Sequence, residues 1–230
     1  MTPARTVVLV RTSMARLRLL PALVLLCVLQ SAPANAQRAV RFGIEGGAAL
    51  ANFAGGDVTE NDWRTSPWIG VSVVADRPGA VVGLQSGLHV ISKGPAFNTG
   101  SAMRAVRLRY LEIPLLLRLG PARPASRVRP VLLLGGAVGV RIGCSVKAEQ
   151  NDRSSSLDCA DAFFGAQTDI QRVDAGLSVG GEVGIAYRNN LIIAPMVRYT
   201  QGLINVASDG TDAYKSKNTA FQIGLGLRFR

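Results

Sequence analysis

Between Arg172 and Tyr187 the chain alternates without a break. One set of positions reads Val173, Ala175, Leu177, Val179, Gly181, Val183, Ile185 and Tyr187. The other reads Arg172, Asp174, Gly176, Ser178, Gly180, Glu182, Gly184 and Ala186. Successive side chains of a strand point to opposite faces, whereas a helix repeats every 3.6 residues, so this stretch predicts a strand. One face is apolar and ends in an aromatic; the other is glycine, serine and isolated charge. Such a strand cannot hide its apolar face alone, so it needs partners of the same kind.

Seven further segments show the same alternation between turn signals. They span Val40 to Ala54, Pro67 to Asp76, Val81 to Lys93, Arg104 to Leu119, Val128 to Gly143, Leu191 to Val206, and a closing stretch around Phe221 to Phe229. The fifth segment, Val128 to Gly143, is nearly all apolar or glycine, so its phase is undefined. Pro114 cannot donate to a ladder, which predicts a bulge or a local break in pairing. Short connections (Arg77–Gly79, Gly120–Arg127, Asn189–Asn190) alternate with long ones (Gly55–Thr65, Gly94–Met103, Cys144–Asp169, Ala207–Lys217). An even strand count with this asymmetry predicts an all-β fold, an eight-stranded antiparallel up-and-down transmembrane β-barrel with both termini in the periplasm.

A soluble barrel would show the same period with its apolar face inward. The polar phase separates the two cases. A water-facing exterior favours long, easily solvated side chains, but here the polar phase is glycine and serine with scattered Glu45, Glu112, Arg118, Asp174, Glu182, Arg198 and Arg228. Small residues with a few opposite charges suit a narrow interior, and eight strands leave room for little more than side chains. The apolar face therefore meets lipid. Charges of both signs inside must pair, because isolated ones are costly. The four acids are the candidates to neutralise Arg118, Arg198 and Arg228 in an interior polar network.

Compartment follows from the start of the chain. Arg5, Arg11, Arg16 and Arg18 precede an apolar run from Leu19 to Leu29 and then Ala34-Asn35-Ala36, the layout of a secretory signal peptide over residues 1–36. The domain is then Gln37 to Arg230, without an apolar run long enough for a membrane helix. Cys144 and Cys159 remain, and in an oxidising compartment they are expected to pair. The bridge would restrain its loop by about 3 kcal/mol on the chain-entropy estimate. The whole chain carries 26 Lys+Arg against 15 Asp+Glu. Export removes nucleic acid as a natural partner for that excess. Arg107 and Arg109, in the outward phase of Leu111 near the extracellular end of their strand, could instead meet outer-leaflet lipid phosphates.

The run Tyr110-Leu-Glu-Ile-Pro-Leu-Leu, the segment Arg198-Tyr199-x-x-Gly202-Leu-x-Asn205 and the closing strand Phe221-x-Ile-Gly-Leu-Gly-Leu-Arg-Phe229 resemble the PorT-like outer-membrane β-barrel family. That resemblance implies an eight-stranded barrel; the family's namesake is linked to type IX protein secretion. The last strand, with Phe221, Ile223, Leu225, Leu227 and Phe229, looks like the signal read by the barrel-assembly machinery, although Arg230 follows the final aromatic.

Chemistry is sparse. The single histidine, His89, falls in the inward phase toward the outer end of the third strand, and Ser86 and Ser92 match no nucleophile spacing. No catalytic, metal or cofactor site is expected. The leading reading is a non-enzymatic barrel serving as an anchor, a loop-borne binder or a secretion accessory for an unidentified secretion-system or extracellular protein. The alternatives are an outer-membrane enzyme acting on lipid or peptide with His89 near the extracellular rim, and a narrow pore.

Overall fold

The computed structural model describes residues 39–55, 62–76, 80–98, 102–121, 127–150, 153–159, 170–188, 191–206 and 216–229. The expected leader at 1–36, the turns at Arg77–Gly79 and Asn189–Asn190, and most of the Ala207–Lys217 connection lie outside these residues. The described residues form ten strands: β1 (Ala39–Ala54), β2 (Arg64–Asp76), β3 (Val82–Lys93), β4 (Ala96–Asn98), β5 (Ala102–Leu119), β6 (Val128–Gln150), β7 (Arg153–Asp158), β8 (Val173–Arg188), β9 (Leu191–Asn205) and β10 (Lys217–Phe229).

Eight of them close into an antiparallel barrel in the order β5-β3-β2-β1-β10-β9-β8-β6, with β6 returning to β5. The first and last strands pair from Phe42↔Phe229 to Ala54↔Lys217, and β5 pairs with β6 from Leu119↔Leu132 to Ala102↔Gln150. Closure matters because hydrocarbon offers no hydrogen bonds, so every spanning backbone group needs a partner within the protein.

Two segments expected as loops are partly strand. Within Gly94–Met103, β4 pairs with β5; within Cys144–Asp169, β6 runs on to Gln150 and β7 folds back on it. β2 likewise begins at Arg64 rather than Pro67. Many of these residues are polar, though Ala96, Phe97 and Val146 are not, and what holds them as strand is pairing with a neighbouring strand. β4 and β7 therefore extend the sheet beyond the barrel at the end opposite the termini. There Cys144 and Cys159 form a disulfide with Cα atoms 5.5 Å apart.

Pro114 leaves its mark on the β3 side. The β3–β5 ladder holds one register from Val82↔Leu119 to Lys93↔Leu108 but lacks its rungs at Gly87 and Leu88, opposite the proline and Ile113. On the β6 side Pro114 keeps its place opposite Ala137, and the register shift falls instead at Arg109/Tyr110.

The apolar phase faces outward. On β5, Leu115 is 63% exposed while its neighbour Leu116 is fully buried. The same reversal runs round the wall, with Phe42, Ile69, Leu177 and Ile223 outside and Glu45, Ser72, Ser178 and Gln222 inside. The pattern settles the phase of β6 as well: Leu132, Leu134, Val138 and Val140 point out, and Leu133 and Ala137 point in. In water this surface would be unfavourable; in hydrocarbon it is matched.

Leu115→Arg should therefore lower the stability of the barrel folded in lipid vesicles by about 2–4 kcal/mol, read from urea unfolding. An unchanged midpoint would mean that this face does not meet hydrocarbon.

Candidate functional site

The interior is filled by side chains from all eight barrel strands. Arg198, Arg228, Tyr110, His89, Gln85, Gln222 and Glu112 are among its largest fully buried groups. They stack in tiers from the end bearing the termini toward the loop end.

At the terminal end Asp76 accepts from Arg41 and, at 3.4 Å, from Arg129, which also donates to the carbonyl of Ala80. Above it lies Glu182 on β8. Arg118 of β5 and Arg228 of β10 both donate to this carboxylate, each through an Nη2 at 2.6 Å, and Arg228 adds a second bond through Nη1. Gln85 joins the group: its carbonyl oxygen accepts from Arg118 at 2.6 Å and its amide donates to Glu45 at 3.4 Å. Two planar guanidinium forks on one carboxylate satisfy most of its lone pairs, which makes burial of the ions tolerable.

The middle tier is built around His89. Its Nε2 lies 2.5 Å from Glu45 Oε1, and its Nδ1 lies 3.1 Å from Arg198 Nη2. A guanidinium can only donate, so Nδ1 accepts and the ring hydrogen sits on Nε2, facing the carboxylate. Arg198 also donates to Gln222 at 2.8 Å, and its guanidinium lies 5.8 Å from the centre of the Trp68 ring. Space for the rings comes from glycine. A Cβ on Gly70 would stand 2.2 Å from the His89 ring, and one on Gly224 would stand 2.5 Å from Trp68. Here the glycine-rich inner phase answers a close approach that alanine could not meet.

Nearer the loop end, Lys93 of β3 bridges Glu112 of β5 at 2.6 Å and Asp174 of β8 at 3.0 Å. Its ammonium lies 5.6 Å from the centre of the Tyr110 ring, and Asn218 donates to the Tyr110 hydroxyl at 3.3 Å. Beside these ions Trp68, Ile91, Val106, Leu108 and Tyr110 form one apolar cluster.

All seven charged residues assigned to the interior from sequence lie there, buried. Their pairing differs from the expectation in two respects. Arg198 is held by Gln222 and His89 instead of by direct contact with an acid. Glu112 and Asp174 are neutralised by Lys93, which sequence reasoning omitted from the network although it shares the phase of His89. With Lys93 included, Glu45, Glu112, Asp174 and Glu182 share the middle of the barrel with Lys93, Arg118, Arg198 and Arg228, while Asp76 and Arg64 are buried as well. His89 also needs correction. It lies in mid-barrel opposite Gly70 and Glu112, has no exposed surface, and so does not reach the rim. The two nearby serines are engaged elsewhere: Ser86 donates to the carbonyl of Pro114, and Ser92 accepts from Arg64. Among the described residues no group of histidine, cysteine or acids is arranged to hold a metal ion.

On the outer wall, Arg107 and Arg109 project from β5 just beyond Leu111, toward the loop end. The closing-strand residues Ile223, Leu225 and Phe229 face outward, with Phe221 and Leu227 half-buried in the same phase.

Because Glu182 alone holds two buried guanidinium groups, Glu182→Gln should cost about 3–5 kcal/mol in urea unfolding from lipid vesicles. Ser178→Ala, which removes one bond to Thr200 at 2.8 Å, should cost only about 1 kcal/mol. Equal losses would show that the carboxylate is not the keystone of the interior.

No curated protein matches the chain significantly in sequence. Among solved structures the chain is similar to Neisserial surface protein A (14% identity, covering 82% of this chain and 96% of that one, TM-score 0.43). It is also similar to OprG of Pseudomonas aeruginosa (16%, 85% and 98%, TM-score 0.45) and to a major outer membrane protein of Thermus thermophilus (13%, 83% and 99%, TM-score 0.45). Residues 30–208 match the family described as the outer membrane protein beta-barrel domain. With the closed eight-stranded barrel and its apolar exterior, that match means that the chain belongs to the outer membrane protein beta-barrel domain family.

Proposed function

We propose that this outer-membrane barrel has a non-enzymatic role: it is a filled anchor that carries a binding surface at its loop end, with both termini in the periplasm. A secretion accessory resembling PorT is one form of this role. The observation that carries the reading is the contrast between the two ends. The interior is filled by buried ions, carboxamides and an apolar cluster, a packing that supports neither a wide water path nor an accessible base at His89. At the loop end, by contrast, β4 to β7 build a sheet extension that the barrel itself does not need for closure. The Cys144–Cys159 bridge ties β7 back to β6. Ordering a polar hairpin costs conformational entropy, and a covalent tie reduces that cost before any partner arrives. The alternation of short and long connections supports placing this end outside the cell.

A photo-crosslinking residue at Ser155, on the exposed face of β7, should capture a protein in intact cells, while the same residue at Val128, near the terminal end, should not. Identical products from both sites would sink the binding reading. In planar bilayers the purified protein should give no discrete conductance steps above bare membrane; regular steps would favour the pore.

A further inference from the structure

We propose that the outer wall between β2 and β6 holds a seat for a phosphate-bearing lipid of the surrounding leaflet, with Arg107 and Arg109 as its anion clamp. The inference rests on the outer-membrane reading above and adds a ligand class to it. The outward phase of β5, taken from the terminal end, is Leu119, Leu117, Leu115, Ile113 and Leu111, and then changes to Arg109 and Arg107. Leu111 to Leu119 spans nine residues, and a tilted strand needs about 9–11 to cross the hydrocarbon core. The change from leucine to arginine therefore marks the level where acyl chains give way to headgroups.

A groove of about 820 Å³ lies across the wall at this level. Its lower part is apolar, formed by Pro67, Ile69 and Val90, and its upper part is cationic, formed by Arg107 and Arg109. In the ladders Ile69 stands opposite Val90, and Arg109 stands between Ser92 and Gly143. Arg107 and Arg109 lie on one face of one strand, their Cα atoms about 7 Å apart along it, a backbone spacing from which both long side chains can reach a single phosphomonoester or two neighbouring ones. Neither has an ion-pair partner among the described residues. Arg64 lies behind them and is committed to the barrel, donating to the carbonyls of Gly94 and Lys93 and to the Ser92 hydroxyl. Its fixed charge adds to the field without competing for the ligand. Asp158 on β7 borders the groove and contributes a carboxylate, so the balance of the lining stays cationic.

An occupant must satisfy both halves at once. A soluble anion would leave Ile69 and Val90 to other lipids, and an apolar chain alone would leave two cations beside hydrocarbon. A lipid with a phosphorylated headgroup places its anion against the forks and its acyl chain on the floor. Arginine suits this role better than lysine because its planar fork engages two phosphate oxygens and sheds water more readily.

The test uses the full mature barrel purified in detergent, with diphosphoryl lipid A as probe and native mass spectrometry as readout. Wild type should retain a one-to-one adduct, and R107A/R109A should weaken it by roughly tenfold or more. The dephosphorylated lipid should bind the wild type as weakly as it binds the variant. Unchanged heat-modifiable gel mobility would show that the variant is folded. An adduct insensitive to R107A/R109A overturns the proposal. So does inorganic phosphate that binds as tightly as the lipid, which would mark a free-anion site, or a dimer that covers the groove. A separate arm tests the underlying reading. Ser155→Cys should react with a membrane-impermeant maleimide on intact cells. Failure there overturns the orientation, whereas labelling with an arginine-insensitive adduct overturns the lipid seat alone.

Discussion

The structure depends on one constraint: hydrocarbon cannot hydrogen-bond. A chain that crosses it by strands has no free edge to leave, so β1 must find β10 and β5 must find β6. Closure then divides the molecule into two solvents. Outside, leucine, isoleucine and valine are dissolved in lipid. Inside, a narrow space is left in which charged and carboxamide side chains from different strands lie against one another.

That inner space explains the chemistry of the polar phase. Four acids and four cations are brought together from strands far apart in sequence, and the contacts are made between strands rather than along them. Glu182 is shared by Arg118 and Arg228, and Lys93 by Glu112 and Asp174. Each of these two shared ions thus staples three strands, and the Gln85–Glu45 contact links the Glu182 group to His89. Replacing either shared ion, Glu182 or Lys93, leaves two buried opposite charges without that partner, a larger loss than a single pair contributes.

Much of the fold was legible because the two solvents impose a strict period. The seven charged positions Glu45, Glu112, Arg118, Asp174, Glu182, Arg198 and Arg228 could be placed inside from phase alone. Their partners could not, since register between strands sets which residues meet, and phase carries no register. Lys93 was visible in the inward phase of β3, yet its place between Glu112 and Asp174 depends on the pairing of β3 with β5 and on the curve of the wall. His89 was misplaced although its strand ends at Lys93 as expected: β5 runs on from Leu108 to Ala102 beyond that end, so nearness to the end of one strand does not mean nearness to the rim. β4 is only three residues long and β7 is mostly polar, and the far end of β6 mixes Val146 and Ala148 with Lys147, Glu149 and Gln150, so local sequence separates them poorly from a loop.

β6 has 23 residues, far more than a membrane crossing requires. At ~3.3 Å per residue and a tilt near 45°, it rises roughly 50 Å, of which the hydrocarbon accounts for about 30. The far end of the β6–β7 ladder, where Gln150 pairs with Arg153, consequently stands some way clear of the bilayer, with the Cys144–Cys159 bridge at the base of the ladder. Reach is what that surplus length confers: this end of the sheet can touch objects in the adjoining aqueous space that the barrel wall cannot meet.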